Sequence, residues 1–218
     1  MALLQLKDLN KGYGKGSKTV CVLNRFNLSI NEGEMIAIMG KSGAGKTTLL
    51  NLIAGIDYPD DGEYFFNDRP VYLKRTADGV KFRRNQVGII VQHFALINDF
   101  TVYENVEMGL WESKLSRKVK RERTLEVIHQ LGIESLKGQY PFELSGGEKQ
   151  RTAIGRAIIA KPQLLLADEP TGSLDYETEK EILHILKMLN DDGATILIIT
   201  HDTEVASQCS RVITLEKH

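Results

Sequence analysis

The chain has 218 residues, of which 42% are hydrophobic and 26% are charged, and its formal net charge is −1 at pH 7. This length and composition allow one ordinary globular domain, and the near-neutral balance excludes a global attraction to nucleic acid or to anionic lipid. The two cysteines, Cys21 and Cys209, lack CxxC spacing and predict neither a disulfide framework nor a zinc site. We expect no signal peptide and no membrane span, because the apolar runs are only as long as strands. Any function at a membrane would therefore require a partner protein.

The first elements predicted along the chain are strands. Residues 3–9 alternate apolar and polar side chains, residues 20–30 show a similar pattern, and Met35–Met39 is a continuous apolar run typical of a strand buried on both faces. This third strand leads directly into a glycine-rich loop, after which residues 47–54 predict a helix. Residues 87–92 predict another buried strand.

The second half of the chain changes character. Residues 100–160 carry helical periodicity and many charges, which predicts a mostly helical insertion. Three strand-like runs follow, at residues 163–168, 195–200 and 211–216. A helix over residues 176–189 separates the first two, and this alternation predicts βαβ units and a largely parallel sheet. The basic run at 117–123, RKVKRER, is either a solvated helix face or a local binding patch.

The loop after the third strand fits the pattern GxxxxGK[ST] at every fixed position. Such a loop wraps backbone amides around phosphate oxygens, and the helix that follows points its positive end at the same place. Lys46 is predicted to reach the β- and γ-phosphates, and the Thr47 hydroxyl to bind Mg²⁺, which prefers oxygen ligands. A flexible loop that matches by chance is the alternative, but the strand before it and the helix after it favour ATP binding. The predicted ATP-binding residues of this segment are Gly40, Lys41, Ser42, Gly43, Ala44, Gly45, Lys46, Thr47 and Thr48.

Two acids end the apolar run LLLADE at residues 164–169. Ligands of parallel sheets bind at the carboxyl ends of the strands, so these side chains are candidates for the same site. Asp168 is predicted to hold Mg²⁺, and Glu169 to polarise the attacking water as general base. The alternative is a strand that merely ends in a polar turn. The phosphate loop upstream favours the other interpretation, in which these two acids complete a nucleotide site.

The string LSGGE occupies residues 144–148, ahead of a helix predicted over residues 149–159. A helix N-terminus attracts anions, although by geometry alone a loop with a capping serine fits equally well. The sequence of the string favours the anion site over the capped loop, because LSGGE is the signature of the ATP-binding cassette (ABC) family. Over essentially its whole length the chain resembles the nucleotide-binding subunit of an ABC transporter.

This resemblance implies the fold and the activity. The expected fold class is α/β, a P-loop NTPase of the ABC ATPase type, with a RecA-like core, an N-terminal antiparallel β subdomain and a helical subdomain. The whole of 1–218 forms one ABC ATPase domain, in which the core and β subdomain cover roughly 1–92 and 161–218 and the helical subdomain roughly 93–160. The implied reaction is hydrolysis of ATP to ADP and phosphate, with ATP and Mg²⁺ as cofactors.

The resemblance also implies roles for single residues. Tyr13 corresponds to the aromatic residue that stacks on adenine, where the alternative is an ordinary surface tyrosine. Gln92 corresponds to the glutamine that senses Mg²⁺ and the γ-phosphate and couples to the membrane subunit, so it joins Thr47 and Asp168 as a metal ligand. His201 corresponds to the histidine that contacts the γ-phosphate, where a structural histidine is the alternative. The implied catalytic residues are Glu169, His201 and Gln92.

Two further segments are expected to act across a dimer. In this family two subunits associate head to tail, and the signature of one completes the ATP site of the other. The signature residues are Leu144, Ser145, Gly146, Gly147 and Glu148. The loop expected to cross the dimer interface consists of Ser173, Leu174 and Asp175.

The finer pattern is similar to the macrolide-exporter, lipoprotein-release and cell-division FtsE group, which includes bacteriocin and peptide-resistance exporters. The matching strings are GKSGAGKTTLLNLIAGID, LSGGEKQRTAIGRAI and LLLADEPTGSLD. They imply a homodimer, a separate transmembrane permease, no nucleic-acid partner, and a peripheral location at the cytoplasmic face of the membrane. Residues 97–100, INDF, replace a leucine–proline turn common in relatives at the permease-facing stretch, which leaves partner and substrate open. A regulatory ATPase that gates its partner without transport remains an alternative, whereas the ADEPTGSLD string and the short C-terminus argue against an importer.

Overall fold

Two β-sheets organise the chain in the computed structural model, which describes residues 1–14, 20–71 and 76–217. The strands are β1 (Ala2–Tyr13), β2 (Val20–Asn31), β3 (Met35–Met39), β4 (Asp61–Phe66), β5 (Arg69–Pro70), β6 (Val87–Ile90), β7 (Leu164–Asp168), β8 (Thr195–Ile199) and β9 (Arg211–Thr214). The helices are α1 (Lys46–Ile53), α2 (Thr76–Gln86), α3 (Val102–Glu107), α4 (Arg117–Gln130), α5 (Gly146–Ile158), α6 (Tyr176–Asp191) and α7 (Thr203–Ser207). Short 3-10 turns lie at Met108–Leu110, Glu134–Leu136 and Pro141–Glu143.

The first sheet is antiparallel, with the strand order β2-β1-β4-β5. Strand β1, between β2 and β4, buries Leu4, Leu6 and Leu9 and leaves Lys7 and Asp8 exposed. Register shifts along β1 interrupt the strict alternation. The predicted N-terminal antiparallel part of the fold is confirmed.

The second sheet is parallel, with the strand order β6-β7-β8-β3-β9. Its three central strands, β7, β8 and β3, carry the continuous apolar runs LLLAD, TILII and MIAIM, and nearly every residue in them is buried. Burial on both faces explains the absence of an alternating pattern. All five strands point the same way, so they end at one edge of the sheet, which we call the carboxyl edge.

The parallel sheet separates two hydrophobic cores. One side packs with α1 and the antiparallel sheet, using side chains such as Ile36, Ile38 and Leu166. The other side packs with α3, α4, α5 and α6, using the alternate side chains Ile196 and Ile198 of β8. The predicted helical insertion is present as α3, α4 and α5, while the subdomain boundaries at residues 92 and 161 stay a prediction.

The structure moves the start of one predicted helix. Helix α5 begins at Gly146 and not at Lys149, because Ser145 caps it and its hydroxyl accepts a hydrogen bond from the Glu148 amide. Strand β6 ends at Ile90, so Gln92 lies in the loop that follows and not in the strand. Within the described residues, no helix combines the length and apolar character needed to span a membrane.

Candidate nucleotide site

The parallel strand order brings four of the predicted site segments to the carboxyl edge. Strand β8 lies between β7 and β3, and its residue Ile199 pairs with both Asp168 and Ile38. The phosphate loop leaves β3, the Asp168–Glu169 pair ends β7, and His201 follows β8 by two residues. Gln92 follows β6, the next strand beyond β7. This edge is where ligands of parallel sheets bind.

The phosphate loop is shaped by glycine and closed by its own lysine. Gly45 caps α1 with a φ of 95°, and a side chain there would also lie 2.6 Å from the Cγ1 atom of Val22. Lys46 donates from Nζ to the carbonyl of Gly40 at 2.7 Å, which holds the ammonium group over the loop. Thr47 is exposed in the first turn of α1, where a helix presents free backbone amides. These features suit a phosphate chain.

Glu169 has an unusual backbone and an ordered carboxylate. Its φ is 45°, in the left-handed region, and its amide is fixed by a 2.9 Å hydrogen bond to the carbonyl of Ile199. Its Oε1 atom lies 2.8 Å from Nδ1 of His201, and its Oε2 atom accepts a 3.3 Å hydrogen bond from the hydroxyl of Thr200. Backbone strain of this kind is concentrated at functional sites. Two neighbours therefore aim one carboxylate at the carboxyl edge.

The hydrogen bond that His201 donates to the Glu169 carboxylate, followed by the negative charge of that carboxylate, raises the pKa of His201 above its ordinary value. We expect the Glu169→Gln variant to lower the pKa of His201, because a neutral amide no longer favours the imidazolium form. NMR titration of the imidazole signals measures this, with the signals of His129 on α4 as an internal control. The same His201 titration midpoint in both proteins would contradict the contact.

Asp168 lies in a more confined place than its neighbour. Burial, followed by the charge of Glu169, raises the pKa of Asp168, while the ammonium of Lys46 acts in the opposite direction. Two adjacent carboxylates beside one lysine favour an added cation.

The oxygen donors available at this edge are the hydroxyl of Thr47, the amide of Gln92 and the carboxylate of Asp168. This set suits Mg²⁺, which takes few protein ligands and completes its shell with phosphate and water. Among the described residues, no cluster of three or more histidine, cysteine, aspartate or glutamate side chains forms a metal site of its own. By their chemistry, the oxygen donors of Thr47, Gln92 and Asp168 fit Mg²⁺.

Gln92 borders the same glycine as Glu169 and begins a segment that two helices hold in place. A side chain on Gly172 would lie 3.1 Å from Nε2 of Gln92 and 3.4 Å from Cβ of Glu169. Arg156 of α5 donates to the carbonyl of Phe94 at 2.8 Å. Asn105 of α3 is fully buried, and its side chain bonds both the amide and the carbonyl of Ile97 at 2.8 and 3.1 Å. The segment after Gln92 is therefore anchored to two helices.

Sequence reasoning missed Arg156 and Asn105. Arg156 lies in the LSGGEKQRTAIGRAI string, but no role was predicted for it or for Asn105, and their partners are backbone atoms of residues 94–101. The usable signal was a polar Asn105 between the apolar positions Val102 and Val106. A buried amide in an apolar helix face needs partners, so it predicts an anchored loop nearby.

The signature is packed against the loop at 173–175. Ser145 and Glu148 cap α5 reciprocally, since the Ser145 amide donates to Oε2 of Glu148 at 2.7 Å. A side chain on Gly147 would clash with Thr178, and one on Gly146 would lie 3.1 Å from Leu174. Helix α6 starts beside them, capped by Asp175. The Glu148 carboxylate is thus engaged locally with the Ser145 hydroxyl, and Ser145 is still exposed to solvent.

The structure does not bring the signature to the phosphate loop of the same chain. Within the described residues, no hydrogen bond joins 144–148 to 40–48, and the nearest link to the acid pair passes through Gln150. This buried side chain donates to the carbonyl of Pro170 at 2.7 Å.

Tyr13, at the end of β1, lies half-exposed, and its hydroxyl donates to Oδ2 of Asp57 at 2.7 Å.

A family profile described as "ABC transporter" matches residues 23–172, which is most of the chain. The chain belongs to the ABC transporter ATPase family. It binds and hydrolyses ATP, and the sequence-based predictions of the P-loop fold and of the ATPase activity are confirmed.

Relatives agree with this assignment. The ATPase is 46% identical to the ABC transporter ATP-binding protein YxdL of Bacillus subtilis, in a match that covers 97% of this chain and 82% of YxdL. It is 39% identical to the macrolide export ATP-binding/permease protein MacB of Pasteurella multocida, covering 98% of this chain and 33% of MacB. The chain therefore spans about a third of that relative. This similarity agrees with the macrolide-exporter group predicted from the sequence.

Solved structures of similar proteins share the whole fold. A dimeric structure of MJ0796, described as a bacterial ABC transporter cassette, is 38% identical with a TM-score of 0.87, covering 98% of this chain and 94% of that one. A dimeric MJ0796 structure in a post-hydrolysis state with ADP and Pi has a TM-score of 0.88 at 38% identity, covering 99% and 96% of the two chains.

Proposed function

We propose that this ATPase works as half of a head-to-tail homodimer that powers a separate membrane permease. The proposal rests on one observation: within one chain, the signature lies apart from the residues of the carboxyl edge. Lys46, Asp168, Glu169 and His201 meet at the carboxyl edge, whereas the exposed Ser145 stands apart from them. A second copy supplies the missing signature. The two MJ0796 structures, both dimeric, support this arrangement.

The roles of the residues follow from their chemistry. The loop amides and Lys46 hold the phosphates, and Tyr13 stacks on the base. Thr47, Asp168 and Gln92 hold Mg²⁺, which when bound neutralises charge on the β- and γ-phosphates. Glu169 accepts a proton from a water molecule as the water oxygen attacks the γ-phosphorus. The bond between the γ-phosphorus and the oxygen that bridges it to the β-phosphate then breaks, which leaves ADP and phosphate.

His201 and the partner signature assist the same step. His201 shares a hydrogen bond with Glu169, so it orients the carboxylate. In the proposed mechanism, the imidazole of His201 also contacts the γ-phosphate. Ser145 and Gly147 of one copy contact the γ-phosphate held by the other copy. ATP thus joins the two copies, and hydrolysis separates them.

The membrane partner is proposed to dock on the segment after Gln92. This segment starts beside the catalytic carboxylate and is anchored by Arg156 and Asn105, so movement at the γ-phosphate is transmitted to it. The printed name of the Pasteurella multocida relative MacB joins an ATP-binding protein to a permease, which supports a membrane partner for this ATPase. The proposed partner is a separate permease that exports a peptide, antibiotic or lipoprotein-like substrate, with this ATPase peripheral at the cytoplasmic face.

Affinity purification of the tagged ATPase from membranes of its host tests the partner. We expect capture of an integral membrane protein, and expect Asp99→Arg to reduce its yield several-fold because Asp99 is exposed on the proposed docking segment. Asp192→Arg is the matched control, since Asp192 is exposed at the opposite edge of the parallel sheet. Equal yields from the two variants, or no membrane protein with the wild type, would contradict the proposal. A partner with no substrate path would instead favour the regulatory role, in which ATP gates the partner without transport.

A further inference from the structure

A buried lysine lies at the end of β1, outside the phosphate site. Lys11 is only 6% exposed, and its Nζ atom lies 3.0 Å from Oδ1 of Asp57, 3.6 Å from Oδ1 of Asp60 and 2.8 Å from the carbonyl of Tyr58. Burying an ammonium group is costly unless charge and hydrogen bonds compensate it. Asp57 is its nearer ionic partner.

The same carboxylate holds a second group. Its other oxygen, Oδ2, accepts a 2.7 Å hydrogen bond from the hydroxyl of Tyr13. The ammonium of Lys11 also lies 5.1 Å from the centre of the Tyr13 ring. Asp57 therefore holds the Tyr13 ring at its hydroxyl and Lys11 lies against its face, although 45% of the residue is exposed.

The protonation states support this bridge. Burial raises the pKa of Asp57, but hydrogen bonds from Tyr13, the Tyr58 amide and Lys11 outweigh it, so the pKa lies below its ordinary value. Burial, followed by the Asp57 hydrogen bond, raises the pKa of Tyr13. Near neutral pH the carboxylate thus stays charged as acceptor and the phenol stays protonated as donor.

Asp57 is also tied to the phosphate loop. Helix α1 starts at Lys46, and at its other end the amides of Ile56 and Asp57 both donate to the carbonyl of Asn51, at 2.8 and 3.1 Å. One rigid helix therefore joins the phosphate loop to the carboxylate that holds Tyr13. The position of the ring relative to the loop is fixed by this connection.

We propose that Asp57, held in place by Lys11, is a positioning residue that orients the Tyr13 ring for stacking on the base of the nucleotide. The proposal rests on the role given to Tyr13 under the proposed function. It assigns Asp57 to recognition of the nucleoside part and gives it no part in phosphate binding or in the hydrolytic step.

The test compares a ligand that has a base with one that lacks it. Dissociation constants for ATP and for inorganic tripolyphosphate are measured by calorimetry without Mg²⁺ for wild type, Tyr13→Phe, Tyr13→Ala, Asp57→Asn and the double variant of Tyr13→Phe with Asp57→Asn. Tyr13→Phe and Asp57→Asn are each expected to weaken ATP binding about 3- to 10-fold, the value of one hydrogen bond, and the double variant no further. In Asp57→Asn, tripolyphosphate binding and the kcat at saturating ATP stay within about twofold of wild type. Asp61→Asn, which removes an exposed carboxylate of the same region, is the matched control and leaves ATP binding unchanged.

Three results would overturn the proposal, and they are distinguishable. Unchanged ATP binding in Tyr13→Phe and Asp57→Asn, with weakened binding in Tyr13→Ala, removes Asp57 from base recognition and leaves the stacking role intact. Unchanged ATP binding in Tyr13→Ala removes the stacking role itself. Equal weakening of tripolyphosphate shows that Asp57 acts through the phosphate loop. If Asp57→Asn fails to fold because Lys11 loses its partner, Tyr13→Phe decides alone, since it removes only the phenol oxygen.

Discussion

Replacing Glu169 by glutamine is expected to reduce ATP turnover at least about 100-fold while leaving ATP binding intact. The substitution keeps the size of the side chain and removes the negative charge that accepts the proton, and general bases commonly contribute 10²–10⁴-fold. The carboxylate is already placed by His201 at 2.8 Å and Thr200 at 3.3 Å, so little reorganisation precedes proton transfer. The phosphate loop and Lys46 are untouched, so the affinity for ATP is retained.

Phosphate release measured at saturating ATP and Mg²⁺ checks this expectation, with ATP affinity measured in parallel. Glu126→Gln is the matched control, because Glu126 is an exposed glutamate on α4, away from the carboxyl edge. Turnover of Glu169→Gln at the wild-type rate would show that another group accepts the proton. Loss of ATP binding would show that Glu169 acts before the chemical step.

The second large effect is expected from a charge placed on the signature. Ser145→Asp should abolish ATP turnover without changing the ATP affinity of the isolated chain, because Ser145 serves the ATP held by a second copy. Aspartate can accept the hydrogen bond from the Glu148 amide as serine does, although it cannot donate to the Glu148 carboxylate as the Ser145 hydroxyl does at 2.8 Å. The added negative charge, however, faces the γ-phosphate of the partner's ATP and repels it.

Ser145→Asn is the control for size, since asparagine also caps helices and differs from aspartate mainly in charge. We expect Ser145→Asn to retain more turnover than Ser145→Asp, and both to bind ATP as isolated chains like wild type. Equal turnover in the two variants would mean that no phosphate group approaches Ser145. Weakened ATP binding by the isolated chain would place the signature in its own chain's site.

The elements with strong one-dimensional patterns could be predicted from the sequence. Strands β3, β7 and β8 consist of apolar runs of strand length, and the phosphate loop has fixed residues at fixed spacings. Helix α2 and strands β4 and β5 were missed. The sequence of α2, TADGVKFRRNQ, has few apolar residues and a glycine, so its helical period is weak. Its placement depends on tertiary contacts that single-sequence periodicity does not contain.

The site could be predicted as a set of residues but not as a geometry. The contact between Glu169 and His201 joins residues 32 positions apart, and only the β7–β8 pairing makes it. The left-handed backbone of Glu169 is likewise imposed by its surroundings. Asp57 ends the string GKSGAGKTTLLNLIAGID, but its spacing from the phosphate loop predicted no role, although it touches both Lys11 and Tyr13. Residues that position others leave little trace in sequence spacing, because their partners are distant along the chain.

ATP is proposed to join two copies of this chain through a shared site. Sedimentation velocity of the Glu169→Gln variant, with and without ATP, measures this association directly. We expect a monomer without nucleotide, a dimer with ATP, and a monomer with ATP once Ser145→Asp is added to Glu169→Gln. A Glu169→Gln chain that stays monomeric with saturating ATP, or a dimer that persists with Ser145→Asp, would contradict it.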